Sequence, residues 1–268
     1  MTYKRGSKGD TVRQIQKALA DAGFSVTCDG IFGQATENAV KAFQKQKGLP
    51  ADGIVGAKTL ALLIPGTPSE GIDIANGYIH THITRSINRP IKYIAVHYTA
   101  GGTSKKGAAM NTKSVFLNPK RRGSADFVVD DETIVQINPD LKNYYCWGVG
   151  DSKNHTSGGG RLYSIATNRN TISIEVCSNL KKGFSASYPN HAGWYYTTAS
   201  LDNTRRLIRY LMKKYNVPKA NVVRHYDISG KLCPGIHGWN DAYIYTDTGT
   251  KTGEKNNSKE WLEFWQSI

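Results

Sequence analysis

The segment from Arg224 to Gly235 constrains this chain more than any other, because it sets a histidine and a cysteine on one short stretch. His225 is followed by Lys231 six residues later and by Cys233 eight residues later. Residues 221–223 predict a short strand, and the glycines and proline that follow predict a loop. Such a loop can fold a histidine and a cysteine back onto one point, and imidazole nitrogen and thiolate sulfur are both good zinc donors.

A third metal ligand is expected elsewhere, because a catalytic zinc has three protein ligands and one open position for water. Residues 93–100 predict a buried strand, and His97 lies at its mouth, where an open α/β sheet presents its chemistry. Taken singly, a strand-end histidine is more often structural, and a lone cysteine is more often a small buried hydrophobe. The combination of His97 with the spaced His225 and Cys233 favours a His₂Cys metal site.

Four motifs between residues 91 and 240 resemble one known family. They are Ile94–Thr99, Ser124–Asp131, Thr171–Cys177 and His225–Cys233. They are similar to the type-2, zinc-dependent N-acetylmuramoyl-L-alanine amidases, which are related to phage lysozyme-amidases and peptidoglycan recognition proteins. The resemblance implies an α/β amidase domain whose central mixed β-sheet is flanked by helices.

The same resemblance implies Zn²⁺ on His97, His225 and Cys233, with Glu175 and Lys231 as the catalytic pair. Amide hydrolysis needs a base for the attacking water and positive charge facing the oxyanion. Glu175 lies on an apolar strand, where a carboxylate is costly to bury without a partner or a function. The alternatives are a salt-bridged strand carboxylate and an ordinary surface lysine.

The central strand departs from the family pattern at Ala125, where some short phage amidases carry a tyrosine before the next motif residues. No tyrosine role is therefore carried over to this position, and the departure favours Glu175 as the catalytic residue. Tyr98, Thr99 and Trp147 are predicted to contact substrate, although a buried aromatic side chain is an equally good interpretation of Trp147.

The first 65 residues contain an internal repeat, in which the sequence from Asp29 to Thr36 recurs from Asp52 to Thr59. Each copy predicts a tight turn followed by a helix start, with Thr36 and Thr59 as helix N-caps. Apolar residues at helical spacing before and between the turns predict a small three-helix bundle.

This repeat resembles the peptidoglycan-binding domain 1 family over nearly its whole length. The resemblance implies a small all-α module that binds the glycan or the stem peptide of the wall, and Asp29, Phe32 and Asp52 are the predicted contacts. The alternative is a helical domain that retains only the fold.

The predicted organisation is a binding domain at 1–65, a linker at 66–90 and a catalytic domain at 91–268. Within the linker, the part from Asn76 to Arg89 is expected to pack against the catalytic domain. The predicted strands of the catalytic domain are 91–98, 126–130, 133–137, 171–177 and 221–225. Amphipathic helices are predicted around Leu201–Tyr215 and from Trp261 to the end, the second capped by Ser258, and long loops are predicted over residues 120–165.

Net charge, the length of the apolar runs and the cysteine count restrict the classes of function that suit this chain. The net charge of +14 suits an anionic cell envelope, and no motif resembles a nucleic-acid binder. No apolar run reaches the ~20 residues of a membrane span, and residues 1–4 lead into the repeat without a signal-peptide core. We therefore expect a cytoplasmically made phage endolysin, or an autolysin exported by another route. With four cysteines, one of them a predicted ligand, a full disulfide framework is not expected.

The predicted function is cleavage of the amide between N-acetylmuramic acid and L-alanine in peptidoglycan, by a monomer. One alternative is a non-catalytic peptidoglycan receptor on the same fold, although such receptors typically lose the ligand that Cys233 provides here. Another is a glycosidase, which needs a second carboxylate paired with Glu175.

Overall fold

The computed structural model describes residues 2–63, 72–120, 122–150 and 160–268. The chain forms two compact units, Met1–Ile72 and Asp73–Ile268. Parts of two predicted loop segments lie outside the described residues, namely residues 66–71 of the linker and residues 121 and 151–159 of the 120–165 stretch.

The first unit is a bundle of three helices, α1 (Asp10–Asp21), α2 (Gln34–Gln46) and α3 (Ala57–Leu63). Apolar side chains at helical spacing point inward and form one core. Its buried members include Val12, Ile15, Leu19, Phe32, Val40, Phe43, Val55 and Leu60. The predicted all-α, three-helix domain is therefore confirmed.

Each turn of the internal repeat is held by a buried glutamine. Gln16 donates from Nε2 to Asp29 Oδ1 at 2.8 Å and to Thr36 Oγ1 at 3.1 Å, and its Oε1 accepts from the Gly30 amide at 2.7 Å. Because a buried amide group must find partners, this glutamine fixes the turn against the helix.

The second copy repeats the arrangement atom for atom. Gln44 donates to Asp52 Oδ1 at 2.8 Å and to Thr59 Oγ1 at 3.1 Å, and it accepts from the Gly53 amide at 2.9 Å. The repeat in the sequence is thus a repeat of one turn-closing hydrogen-bond network.

Two predictions for this unit are corrected by the same contacts. The cap of α2 is Gly33, and Thr36 and Thr59 lie inside their helices, where their hydroxyls accept from the glutamines. Phe32 is 1 % exposed and belongs to the core, so its ring is not available for a wall contact. Asp29 and Asp52 are exposed, and each carboxylate also accepts from the amide two residues on.

The second unit is built on a mixed six-stranded sheet. In spatial order its strands are β1 (Ala75–Asn76), β5 (Ile134–Gln136), β4 (Phe127–Val129), β7 (Thr171–Val176), β3 (Tyr93–Tyr98) and β10 (Val222–Arg224). Only the pairing of β4 with β5 is antiparallel. All five predicted strands are present, each one or two residues shorter than predicted, which confirms the mixed-sheet α/β prediction.

Three two-stranded sheets and four helices complete the described part of the unit. The strand pairs are β2 (Ile83–Arg85) with β6 (Tyr144–Cys146), β8 (Asn179–Leu180) with β9 (Trp194–Tyr195), and β11 (Tyr243–Tyr245) with β12 (Lys251–Lys255). The helices are α4 (Ala108–Phe116), α5 (Thr198–Tyr215), α6 (His225–Ser229) and α7 (Lys259–Gln266), with a 3₁₀ turn at Lys219–Asn221.

Helices flank the sheet as predicted. Ala108, Ala109 and Phe116 of α4 pack in one apolar cluster with Val128 of β4 and Val135 of β5. Helix α5 begins at the N-cap Thr197, whose hydroxyl accepts from the Ser200 amide, and lies against β4, β5 and β7. Among the described residues, no helix has the length and apolar character needed to cross a membrane.

The second part of the predicted linker belongs to the second unit. Residues 75–76 pair with β5, and Ile79 is buried in the cluster beneath α4. Arg89 is fully buried and donates to the carbonyls of Tyr144 and Thr171, both at 2.6 Å. The unit therefore begins near Asp73, earlier than the predicted start at residue 91, because these residues supply an edge strand and a core cation.

Candidate metal centre and active site

Three adjacent parallel strands carry the candidate groups at their carboxyl ends. His97 is the penultimate residue of β3, Glu175 is the penultimate residue of β7, and His225 follows β10 directly. His97 and Glu175 are register partners, and β10 pairs with β3 on its other side. Carboxyl ends of parallel strands are where α/β sheets present ligand sites.

The segment after β10 is folded back by a buried ion pair. Arg224 Nη2 contacts Asp227 Oδ1 at 2.7 Å, and the backbone amide of Arg224 donates to Asp227 Oδ2 at 2.9 Å, which closes the first turn of α6. The Tyr226 amide then donates to the Cys233 carbonyl at 2.8 Å. The predicted loop therefore begins as a short helix, and it returns Cys233 to the histidine from which it departs.

His97, His225 and Cys233 come together in the structure. All three are buried, and one ligand atom from each lies within 4.8 Å of the others. Cys233 Sγ is 3.6 Å from His97 Nδ1, and the two imidazole rings have centroids 4.6 Å apart. Residues more than a hundred positions apart in the sequence thus form one cluster of nitrogen and sulfur donors.

The donor atoms are oriented as a metal site requires. His225 Nε2 lies 2.9 Å from the carbonyl oxygen of Val149, so this nitrogen carries the proton and donates it. Its Nδ1 is buried and has no hydrogen-bond partner among the described residues. A buried lone pair without a donor is costly unless a cation occupies the space beside it. A histidine that donates its second N–H to a carbonyl is the usual arrangement around protein-bound metals.

The 3.6 Å between Cys233 Sγ and His97 Nδ1 also fits a shared ion. Zinc bonds of about 2.3 Å to sulfur and about 2.0 Å to nitrogen, at a tetrahedral angle, separate the two ligand atoms by about 3.5 Å. The residues present therefore fit a divalent metal that accepts two nitrogens and one sulfur.

Burial sets the protonation of the three groups. It holds the pKa of His97 well below its usual range, helped by positive charge on His225 and Lys231, and it lowers the pKa of His225 to about 3. Burial, with the nearby Glu175 carboxylate, raises the pKa of the Cys233 thiol to about 12. Both imidazoles are therefore neutral and able to ligate, and metal binding has to displace the thiol proton.

A cavity of about 730 Å³ opens over this cluster. It is lined by Glu175 and Lys231, the predicted catalytic pair, and by Tyr98, Thr99 and Trp147, the predicted substrate contacts. All of the site residues predicted for the catalytic domain thus lie at one cavity, and the structure adds Arg122 and Pro189 to its wall. Trp147 is 37 % exposed and donates from Nε1 to Thr84 Oγ1 at 2.9 Å, so it is not a core residue.

Ala125 does not reach the cavity. Its methyl group is buried in the apolar cluster with α4 and β4. Tyr98, the residue after the candidate ligand His97, lines the cavity instead, with its ring edge-on to Trp194 at 5.8 Å.

The sequence did not reveal the groups that hold the ligands in place. The Tyr196 hydroxyl donates to the carbonyl of His97 at 3.0 Å, and the Val149 carbonyl orients His225. Asn240 Nδ2 donates to the Pro234 carbonyl at 2.9 Å and to Asn190 Oδ1 at 2.8 Å. Main-chain acceptors leave no signature in a sequence.

The sequence did contain one signal for the groups that position the ligands. Arg224 and Asp227 are three residues apart, and His225 lies between them. The predicted cap Ser258 does stand at the start of α7, yet its hydroxyl accepts from Arg224 Nη1 at 2.6 Å and caps no helix amide. This serine therefore supports the residue beside a candidate ligand.

Residues 87–236, which carry every group of the metal cluster and the cavity's predicted catalytic pair, match the protein family described as N-acetylmuramoyl-L-alanine amidase. The chain belongs to this amidase family. Residues 8–63 match a second family, described as a putative peptidoglycan binding domain, and this match covers the three-helix unit.

Two curated relatives of the amidase unit come from Bacillus subtilis strain 168. The N-acetylmuramoyl-L-alanine amidase CwlH is 37 % identical over 150 residues, which cover 55 % of this chain and 50 % of CwlH. The N-acetylmuramoyl-L-alanine amidase XlyA is 35 % identical over 142 residues, which cover 53 % of this chain and 39 % of XlyA. The match therefore spans half or less of these relatives.

A solved structure, a mutant endolysin from Bacillus subtilis, is also similar. It is 30 % identical, with a TM-score of 0.45, and the match covers 61 % of this chain and 90 % of the endolysin.

Proposed function

We propose that this amidase-family protein hydrolyses the amide bond between the lactyl group of N-acetylmuramic acid and L-alanine in peptidoglycan. The observation that carries the proposal is the buried cluster of His97, His225 and Cys233 with Glu175 in register beside it, at the floor of an open cavity. Action as a monomer is part of this proposal.

We propose zinc as the ion held by His97 Nδ1, His225 Nδ1 and Cys233 Sγ. When bound, it lowers the pKa of a water molecule towards ~7 and polarises the scissile carbonyl. The two-nitrogen, one-sulfur set supports zinc, because soft thiolate and borderline imidazole select it over magnesium or calcium.

Glu175 is the proposed proton carrier. Its carboxylate takes a proton from the attacking water as the oxygen bonds to the carbonyl carbon. The same carboxyl then gives that proton to the alanine nitrogen as the carbon–nitrogen bond breaks. The second proton of the water passes from the new carboxylic acid to the released amine, so the products are a muramic acid lactyl carboxylate and a stem peptide with a free N-terminal ammonium group.

Lys231 is the proposed oxyanion contact. It is exposed at the cavity wall, two residues before Cys233, so its ammonium group can face the carbonyl oxygen of a bound substrate. Positive charge that is already in place where negative charge develops lowers the barrier. Tyr98, Thr99 and Trp147 are proposed to hold the muramic acid and the first stem residues.

The three-helix unit is proposed to bind the wall polymer through its exposed surface. Its match to the peptidoglycan binding family supports this role. Tethering a catalytic unit to a polymer raises the local substrate concentration without any new contact in the active site. The resulting protein is a cell-wall hydrolase of the endolysin or autolysin kind.

The testing experiment is mass spectrometry of the soluble products after purified peptidoglycan is digested with the whole protein, with and without a zinc chelator. We expect stem peptides with free alanine amines, intact glycan, and loss of release under chelation. New reducing sugar ends would identify a glycosidase. Binding to the wall without any products would identify a receptor.

A matched pair of variants separates catalysis from wall binding. Cys233→Ser is expected to lose metal and activity and still bind the wall. Cys28→Ser changes an exposed thiol in the first unit and is expected to keep metal, activity and wall binding. Full activity in Cys233→Ser would disprove the metal site.

A further inference from the structure

Two aromatic side chains of the 184–188 segment each pack on the backbone of a glycine and are partly exposed to solvent. Phe184 is 39 % exposed and Tyr188 is 44 % exposed. The ring of Phe184 lies on Gly193, and that of Tyr188 lies on Gly249, so closely that a methyl group on either glycine would overlap the ring. Each glycine thus provides a flat seat for an aromatic ring.

The two rings are fixed by further contacts. Phe184 is parallel to the imidazole of His191, with an interplanar angle of 4° and centroids 5.6 Å apart. The Tyr188 carbonyl accepts from Trp194 Nε1 at 2.9 Å, and the Ser185 amide donates to Asp247 Oδ2 at 3.0 Å. Single exposed aromatic residues are ordinary. Two exposed rings on one short segment, each seated on a glycine, are less ordinary, and they are here named the aromatic surface (Phe184 and Tyr188).

The aromatic surface continues from the wall of the active-site cavity. Pro189, the residue after Tyr188, lines the cavity together with Tyr98. These two side chains meet over Gly235, because a methyl group at that glycine would overlap both of them. Tyr188 is therefore the immediate chain neighbour of a residue of the cavity wall.

We propose that the aromatic surface binds sugar rings of the glycan strand that lie beyond the muramic acid at the cleavage site. This inference rests on the proposed function, in which the substrate is a polymer that cannot end at the cavity. A pyranose ring with equatorial substituents presents axial C–H bonds, and these pack against the negative face of an aromatic ring.

The polar groups of the segment also suit a glycan. Ser185 Oγ and Ser187 Oγ are exposed and lie 2.8 Å apart, between the two aromatic residues in the sequence. Hydroxyl groups of this kind both donate and accept, as sugar hydroxyls and N-acetyl groups require. A glycan strand therefore finds aromatic rings and hydroxyl groups on the same segment.

The test compares two soluble substrates with the same stem peptide, one with a single muramic acid and one with a glycan of about eight sugars. With the full-length protein, the double variant Phe184→Ala/Tyr188→Ala is expected to raise KM for the long substrate roughly tenfold. Its kcat and its KM for the single-sugar substrate stay near those of the wild type. In an otherwise wild-type chain, the conservative change Tyr188→Phe is expected to keep the low KM of the wild type for the long substrate, because the ring face remains.

Tyr78→Ala is the matched control, since Tyr78 is 38 % exposed and lies outside both the cavity lining and the aromatic surface. An equal rise in KM on both substrates in the double variant would overturn the inference and point to a stem-peptide contact or a structural role. No change on either substrate would overturn it as well.

A wild-type protein that cleaves neither substrate would disprove the proposed function without deciding this inference. Binding of peptide-free glycan strands, measured by calorimetry on wild type and on the double variant, then decides it. Equal affinities would overturn the aromatic surface as a glycan site, and a loss of roughly tenfold would support it.

Discussion

His97 and Glu175 lie side by side as register partners on the parallel strands β3 and β7. Side chains at paired positions project to the same face of a sheet, so the candidate ligand and the candidate base rise from one row of the sheet. The neighbouring pair is Tyr98 and Val176, and the Cβ atoms of these two residues point to the other face of the sheet. Metal binding and proton transfer are thus assigned to different residues, and substitutions can separate them.

Glu175→Gln is expected to reduce the rate of amide hydrolysis by about 10²- to 10⁴-fold, because an amide of the same shape cannot accept the proton of the attacking water. The zinc content is expected to stay at one ion per chain. Initial rates on a soluble muramoyl peptide and metal analysis of the same sample check both points. Glu254→Gln, on the exposed strand β12, is the control, and more than a tenth of the wild-type rate in Glu175→Gln would contradict the assignment.

Lys231→Met is expected to lower kcat by about 10²-fold with little change in KM, because the charge it removes acts on the oxyanion and not on the bound substrate. Lys92→Met, which changes an exposed lysine away from the cavity lining, serves for comparison. Steady-state kinetics on the same soluble peptide give both constants. A rise in KM at constant kcat would instead make Lys231 a substrate-binding residue.

Removing the metal is expected to lower the melting temperature of the second unit. At a metal concentration of roughly a thousand times Kd, binding stabilises the folded state by about 4 kcal/mol, which corresponds to a shift on the order of 10 °C for a unit of this size. Calorimetry with and without chelator measures the shift. Cys233→Ser is expected to show almost none, and an equal shift in that variant would place the metal elsewhere.

Asn240→Ala is expected to weaken zinc binding by about 10- to 100-fold, because Asn240 holds the Pro234 carbonyl next to Cys233. With zinc in excess, the rate is expected to return close to that of wild type, which distinguishes a positioning residue from one that contacts substrate. Competition with a chromogenic chelator measures the affinity. Asn118→Ala, at an exposed position, is the control. An unchanged zinc affinity in Asn240→Ala would show that the loop keeps Cys233 in place without Asn240.

Gln16→Ala is expected to destabilise the first unit by about 1–3 kcal/mol, because it leaves the buried Gly30 amide without its acceptor. Hydrogen exchange in peptides from residues 10–63 reports this unit separately from the second. Gln34→Ala removes an exposed glutamine whose side-chain amide donates to Asn38, and a loss below about 0.5 kcal/mol is expected. Equal losses in the two variants would show that the turn network contributes little.

Much of the site was predictable because its chemistry resides in residue types. A histidine at a strand end, a second histidine after another strand, and a cysteine eight residues later have few joint interpretations apart from a metal site. The strand alternation around Glu175 also predicted which of its neighbours share its face. The register of β3 with β7 adds that this face is the one that carries His97.

The errors have a common physical origin. Thr36 and Thr59 fit the pattern of helix caps, but buried glutamines from the preceding helices use their hydroxyls. Phe32 sits in a turn that looks exposed, yet the bundle closes over it. The packing of Asn76–Arg89 against the second unit was expected, whereas the start of that unit near Asp73 was not, since the sequence does not show that residues 75–76 pair as an edge strand. In each case a partner distant in sequence outweighed the local preference.

The sequence alone determined which residues could ligate a metal, that the first unit is a repeat of helices and turns, and that the second alternates strands with helices. Tertiary structure decided which nitrogen of His225 is free, because the Val149 carbonyl that takes the other nitrogen comes from a segment 76 residues earlier. It also decided that Phe184 and Tyr188 present their rings to solvent, since the glycines beneath them belong to other turns. Local preference and residue chemistry act within a few positions of the chain, whereas the orientation of a buried donor or ring is set by whichever distant backbone packs against it.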